Sequence, residues 1–227
     1  MTKTFFVTGT DTDVGKTISC MALLQAATQR GLRTVGYKPV ASGCELMEEG
    51  LCNRDVVMLQ RAASIKLPYD QVVGYAFEPA VAPHIAAEAS GVPIRFDVLS
   101  DGLRQLKQTD ADILFVEGAG GWRLPVGHGH FLSDWVKFED MPVILVVGAR
   151  MGCLNHAMLT YEAIRHDHLN LAGWCINQIH QGMSHYQENL DTLQALLPAP
   201  FLGEIPYLAR PHESDLGQYL DISPLLD

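Results

Sequence analysis

The stretch Thr8-Gly9-Thr10-Asp11-Thr12-Asp13-Val14-Gly15-Lys16-Thr17 lies directly behind the apolar run Phe5-Phe6-Val7 and directly ahead of a helix-like run from Ile18 to Gln29. That order describes a strand, a phosphate loop and a helix. A strand that ends in a Gly- and Thr-rich turn and then enters a helix aims successive backbone N–H groups and the positive helix end at one point, which suits phosphate. Lys16 adds a point charge for β- and γ-phosphates, and Thr17 offers a hydroxyl to Mg2+. The common pattern G-x-x-x-x-G-K-[ST] would place its first glycine at position 10, whereas this chain has Gly9, so the loop is one residue longer. A helix start with an exposed lysine is the alternative; the strand before and the helix after favour a nucleotide.

The remaining chain supplies context. Arg33 to Val40 reads as a short strand broken at Pro39 and followed by the loop Ala41-Ser42-Gly43. Polar groups at the ends of α/β strands face the ligand crevice, which makes Lys38 and Ser42 site candidates. Asn53 can cap a helix from Arg54 to Ala63, with Asp55 in its first turn, where an acid often serves only the helix dipole. Val72 to Phe77 forms a strand, and the proline-punctuated turn after it leads into a helix at whose start His84 needs no chemistry. Phe96 to Gln108 has helical spacing and feeds the apolar run Ile113 to Val116. That run ends in Glu117-Gly118-Ala119-Gly120-Gly121, a buried parallel strand with a carboxylate at its tip, where a nucleotide site uses a second Mg2+-associated acid.

Pro142 to Gly148 is another apolar strand, and Gly152 to His156 then forms a second helix N-terminus, able to hold a carboxylate, ahead of a helix from Ala157 to Arg165. Leu171 to Gln178, the amphipathic Ser184 to Leu197 and Pro200 to Tyr207 continue the alternation. The pattern specifies an α/β chain, one domain over 1–227, with a single-domain P-loop fold and a mainly parallel β-sheet carrying helices on both faces.

A net charge of −10 without any basic block argues against nucleic acid or an acidic membrane as partner. Five scattered cysteines without a C-x-x-C pair fit reduced thiols in a cytoplasmic protein. The N-terminus lacks a signal-peptide pattern and no run approaches the roughly 20 apolar residues of a membrane span, so a soluble, cytoplasmic protein is expected. His128, His130 and His156 have no acid or cysteine at ligand spacing, and the Gly- and His-rich segment Leu124 to His130 reads as a flexible loop.

Together, Gly9 to Thr17, Gly36-Tyr37-Lys38-Pro39-Val40-Ala41-Ser42-Gly43, Val116 to Gly121, Gly152-Cys153-Leu154-Asn155-His156 and Gly203-Glu204-Ile205-Pro206 closely resemble the dethiobiotin synthetase family. The resemblance covers almost the whole chain. It implies an ATP- and Mg2+-dependent ligase of biotin biosynthesis. In that reaction 7,8-diaminononanoate takes up CO2 as a carbamate, the carbamate attacks the γ-phosphate to give a carbamic-phosphoric anhydride, and the second amine displaces phosphate to close the cyclic urea of dethiobiotin. By the same resemblance Lys38, Lys16 and Thr12 are catalytic, and Asp13, Val14, Gly15, Lys16, Thr17 and Ile18 wrap the triphosphate. Glu117, Gly118, Ala119 and Gly120 also border the nucleotide, and Asn177, Pro206, Tyr207 and Leu208 face the adenine. Thr17, Asp55 and Glu117 would hold Mg2+, which turns Asp55 from a helix-dipole residue into a ligand candidate. Thr12, Lys38, Ser42 and Glu117 would meet the carbamate or its phosphorylated product. The far carboxylate of the substrate would lie at a homodimer interface, against Gly152, Cys153, Leu154 and Asn155 of a second copy. Asp13 departs from the Glu of some relatives and is a shorter acid.

A nucleotide-driven switch of the partition type would favour a second lysine early in the loop and, in membrane members, an amphipathic C-terminal helix; Thr10 to Val14 contain no lysine and the tail from Ile222 is short. An amidating synthetase would need a glutaminase domain, for which the chain leaves no room. The ligase is the expectation.

Overall fold

The computed structural model describes residues 2–48 and 50–226. Strand β1 (Lys3–Gly9) leads through the phosphate loop into α1 (Lys16–Gln29), and β2 (Thr34–Ser42) is followed by a small hairpin, β3 (Glu45–Met47) and β4 (Gly50–Cys52), and by α2 (Arg54–Ala62). Next come β5 (Val73–Phe77), α3 (Pro83–Ser90), α4 (Phe96–Lys107) and β6 (Ile113–Gly121). A second hairpin, β7 (Pro125–Gly127) and β8 (His130–Phe131), runs into α5 (Leu132–Phe138). The alternation then continues through β9 (Val143–Gly148), α6 (Cys153–His166), β10 (Leu171–Asn177), α7 (Tyr186–Leu196) and β11 (Phe201–Ile205), and α8 (Ser223–Leu226) follows.

Seven strands form one sheet in the order β11-β10-β9-β1-β6-β2-β5, with every pairing parallel. Alternate residues of each strand point to opposite faces. Phe6, Leu114, Val116, Leu145 and Trp174 therefore enter one half of the core with α4 to α7, while Phe5, Val7, Phe115, Ile144 and Cys175 enter the other with α1. Helix α1 is buried on most of its circumference because Leu59 and Ala63 lie against one side and Leu216, Leu220, Ile222 and Leu225 join the same cluster. Its small and unbranched residues suit that enclosure. With β1 at the centre of the sheet, the phosphate loop leaves from the middle of the C-terminal edge, where α/β sheets bind their ligands. Among the described residues no helix is long and apolar enough to cross a membrane.

Several boundaries differ from the sequence reading. Strand β2 does not break at Pro39 but continues to Ser42. Lys38 N donates towards β5 at Val72 O (2.8 Å), so the position of the missing Pro39 N–H faces β6, whose pairing with β2 already ended at Tyr37. The supposed flexible loop at 124–130 contains the β7–β8 hairpin, with Gly127, His128 and Gly129 all at positive φ in its turn. Helix α6 starts at Cys153 rather than Ala157, with Gly152 as its left-handed cap (φ 90°). The β3–β4 hairpin and α5 have no counterpart in the sequence reading, because short elements give too few residues for a period to emerge.

Asp167, just beyond the end of α6, is a fold-organising carboxylate. Its buried side chain accepts from Trp122 Nε1 (2.9 Å), from Arg123 (2.6 Å) and from Lys137 (3.3 Å), tying α6 to the end of β6 and to α5. An acid at the negative end of a helix dipole is unfavourable alone. Burial pushes this carboxyl up, but Arg123, Trp122 and Lys137 outweigh burial and hold it below the usual aspartate range. Asp167→Ala is expected to lower stability by about 3 kcal/mol near neutral pH. A depressed carboxyl contributes above its unfolded value and loses that contribution as pH falls through its folded value, so parent and variant should converge in acid. Urea unfolding at pH 7 and pH 3 checks this; equal stability at pH 7 would remove Asp167 from that role.

Candidate active site

The C-terminal edge of the sheet holds a cavity of about 970 Å3. The phosphate loop supplies Thr12, Asp13, Gly15, Lys16, Thr17 and Ile18; β2 supplies Lys38, Val40 and Ser42; the start of α2 supplies Asn53, Arg54 and Asp55; and β6 supplies Glu117, Ala119 and Gly120. A smaller cavity of about 220 Å3 shares Asp13, Gly15 and Ile18 with it and is lined by Asn177, Pro206, Tyr207 and Leu208.

The loop is held from below. Val14 is fully buried beneath the loop and lines neither cavity. Gly15 caps α1 in the left-handed region (φ 87°), and Asn177 Nδ2 donates to Val14 O (3.0 Å). A Cβ at Gly15 would stand 1.7 Å from that amide nitrogen, so glycine is required by both conformation and space. Lys16 Nζ donates to Asp11 O (2.9 Å), folding the side chain over its own loop. Burial first, and the Lys38 ammonium second, bring Lys16 down to about 8.

Beside the loop is a charged centre. Buried Lys38 Nζ donates to Asp55 (3.0 Å) and to Glu117 Oε1 (2.5 Å), and reaches Gly118 O at 3.4 Å. Thr17 Oγ1 also donates to Glu117 Oε1 (2.8 Å). Burial lowers the Lys38 ammonium's affinity for its proton, but the Glu117 and Asp55 carboxylates outweigh it and raise its pKa. Burial pushes the Glu117 carboxyl up against the pull of Lys38, whereas in the less enclosed Asp55 burial is outweighed by Lys38 and the carboxyl is held low. Glu117 Oε2 is buried and, among the described residues, has no hydrogen-bond partner. Two carboxylates, one of them with an orphaned buried oxygen, and a hydroxyl make a hard donor set that fits Mg2+.

Asn53 joins these parts. Its Oδ1 accepts from Asp55 N (2.9 Å) as the cap of α2, and its Nδ2 donates to Ser42 O (3.1 Å), fixing the start of α2 against the end of β2. Asn53 was legible as a cap but not as this link, and Arg54 on the cavity wall was missed, since an arginine in a helix's first turn carries no signal of its own. Two groups of candidates stand apart. Gly118 lies behind the cavity wall, where a Cβ would meet Phe6 Cζ at 2.7 Å, and only its carbonyl approaches Lys38. Gly152, Cys153, Leu154 and Asn155 line neither cavity.

The AAA domain family matches residues 3–213. A protein of Tolumonas auensis called ATP-dependent dethiobiotin synthetase BioD is 65% identical over 227 residues, covering 100% of both chains. One of Aeromonas hydrophila with the same name is 61% identical over 226 residues, again covering 100% of both. The structure of the MinC:MinD cell division protein complex of Aquifex aeolicus includes a chain similar in fold alone, with a TM-score of 0.56 at 14% identity over 95% of this chain and 85% of that one. On a likeness to curated relatives that runs from end to end, this chain belongs to the ATP-dependent dethiobiotin synthetase family.

Proposed function

We propose that the chain joins 7,8-diaminononanoate and CO2 at the expense of ATP, forming dethiobiotin, ADP and phosphate in the cytoplasm. The observation that carries this reading is the placement of two buried lysines, Lys16 and Lys38, on one cavity with a phosphate loop and an acid pair. An amine adds to CO2, the new N–C bond forming as the nitrogen gives up a proton, and leaves a carbamate. A carbamate oxygen then attacks the γ-phosphorus while the bond to the ADP oxygen breaks. The second amine attacks the carbonyl carbon of the resulting anhydride and gives up a proton, the C–O bond to phosphate breaks with the electron pair leaving on phosphate, and the ring closes.

Both reacting partners are anions, so the site's task is to bring them together and neutralise the charge between them. Lys16 and the loop N–H groups hold the triphosphate. Lys38, on the opposite wall, meets the carbamate, with the Thr12 and Ser42 hydroxyls as further donors. Asn177 and the Pro206 to Leu208 turn border the adjoining cavity suited to the base. Thr17, Asp55 and Glu117 would hold Mg2+, which supplies positive charge to the phosphates. The carboxylate end of the diamine is assigned to a second copy of the chain. Helix α6 begins without a side-chain cap; Cys153 N donates to Arg150 O (3.0 Å), which leaves the Leu154 and Asn155 N–H groups as donors to a carboxylate, and Met151 and Leu159 beside them are exposed apolar residues available to a partner.

ATP consumption with and without diamine and bicarbonate tests the reading. Hydrolysis should depend on both, with cyclic urea appearing by mass spectrometry; equal hydrolysis without the diamine and no cyclic urea would overturn it. The environment of Lys16 adds a pH signature. Below about 8 its ammonium is charged and attracts phosphate, and above that value the charge is lost. ATP affinity should fall by about an order of magnitude between pH 8 and pH 9.5 in the parent and stay nearly flat in Lys16→Arg, measured by calorimetry.

A further inference from the structure

The loop carries one residue more than its common pattern, and Thr10, Asp11 and the Thr12 amide in that longer segment are all hydrogen-bonded. Thr10 N donates to Val146 O (3.0 Å), and Thr10 Oγ1 accepts from Gly148 N (3.5 Å), which anchors the loop's first half to the tip of β9. The Asp11 carbonyl accepts Lys16 Nζ (2.9 Å), and the Asp11 carboxylate accepts Thr12 N (2.8 Å). That carboxylate is held in turn by Arg150, from the segment between β9 and α6. Thr12 and Gly120 of β6 both line the cavity and are neighbours: a Cβ on Gly120 would stand 3.8 Å from Thr12 Oγ1. Neither Asp11 nor Arg150 lines the cavity.

We infer that Arg150 and Asp11 form a positioning pair that aims Thr12, and the carbonyl that receives Lys16, at the reacting end of the substrate; this rests on the function proposed above. An ion pair with side chains 37% and 48% exposed contributes little to folding stability. Its effect lies in geometry. With the guanidinium in place, the Asp11 carboxylate has one orientation, in which it satisfies the Thr12 N–H and fixes the turn that the extra residue creates. Without it, the carboxylate can rotate into solvent, and the Thr12 amide and hydroxyl lose their fixed direction. Small displacements of positioned groups cost turnover much more than binding.

The test compares Arg150→Gln, Asp11→Ala, the double variant and Arg150→Lys. Each of the first two should lower kcat at least about tenfold with KM for ATP within about twofold, and the double should be no worse than either, because the residues act as a unit. Arg150→Lys, which keeps the charge and one donor, should recover most of the turnover. Melting temperatures should stay within about 2 °C of the parent, as expected for an exposed pair. Multiplicative losses in the double, loss that follows melting temperature, or unchanged kcat in both singles would overturn the inference. A second readout needs no turnover: amide hydrogen exchange at Thr12 in ligand-free protein should be about tenfold faster in Arg150→Gln than in the parent. Unchanged exchange refutes the pair's hold on Thr12, whereas a parent enzyme that makes no cyclic urea refutes the proposed function instead.

Discussion

Replacing Lys38 with methionine is expected to cut cyclic-urea formation by about a thousandfold, while binding of a non-hydrolysable ATP analogue changes only a few-fold. The split follows from where the two lysines sit. Lys16 belongs to the loop that grips the nucleotide, whereas Lys38 comes from β2 on the opposite wall and stands between Asp55 and Glu117. Methionine keeps the length and the apolar stem but removes the cation that, among the described residues, is ion-paired with Glu117. That carboxyl is already pushed up by burial, and Lys38 opposes the shift. In the variant its folded pKa should rise further above the unfolded value. A group raised in this way stabilises the fold below its unfolded pKa and loses that contribution as pH rises through the folded one. The variant should therefore melt at a higher temperature near pH 5 than near pH 8. Turnover within threefold of the parent would remove Lys38 from the reacting centre, and a pH-independent melting temperature would remove its coupling to Glu117.

Gly15→Ala should weaken ATP binding by about a hundredfold or more, with the sheet intact by circular dichroism. Two effects combine. An alanine at φ 87° carries about 1–2 kcal/mol of left-handed strain. Its Cβ would also lie 1.7 Å from Asn177 Nδ2, so Asn177 must move and abandon Val14 O. The loop then loses the contact that fixes its backbone, and the adjoining cavity loses a wall. The double variant Gly15→Ala with Asn177→Gly relieves the clash but not the backbone strain, and should recover part of the affinity. Normal ATP binding in the single variant would show that the loop tolerates another conformation.

Much of this arrangement was legible because residues at the tips of parallel strands converge wherever the sheet is built. Gly9 to Thr17 follows from β1, Ser42 ends β2, and Lys38 and Glu117 lie midway along β2 and β6, each one residue past the last pairing of those two strands; the strand order places them around one crevice. Asp55 was less legible from its own residues, since an acid in a helix's first turn serves the dipole in most settings. Only the adjacency of β2 to β6, with Asn53 fastening α2 to Ser42, brings it within 3.0 Å of Lys38. Pro39 misled because the missing N–H matters only where a neighbouring strand asks for it. Gly152 to Asn155 could be matched by resemblance, but one chain does not bring them to the cavity. Arg150 was invisible because its partner Asp11 lies 139 positions away and neither residue lines the site.

Oxygen tracing decides whether the site uses ATP to activate a carbamate oxygen. Parent enzyme, diamine and ATP are mixed with 18O-labelled bicarbonate and quenched within one turnover, before the label exchanges with water, and the phosphate is analysed by mass spectrometry. Each phosphate released with dethiobiotin should carry one oxygen from the labelled carbon source, because the carbamate oxygen that attacks the γ-phosphorus leaves with it. Unlabelled phosphate released in step with cyclic urea would contradict it.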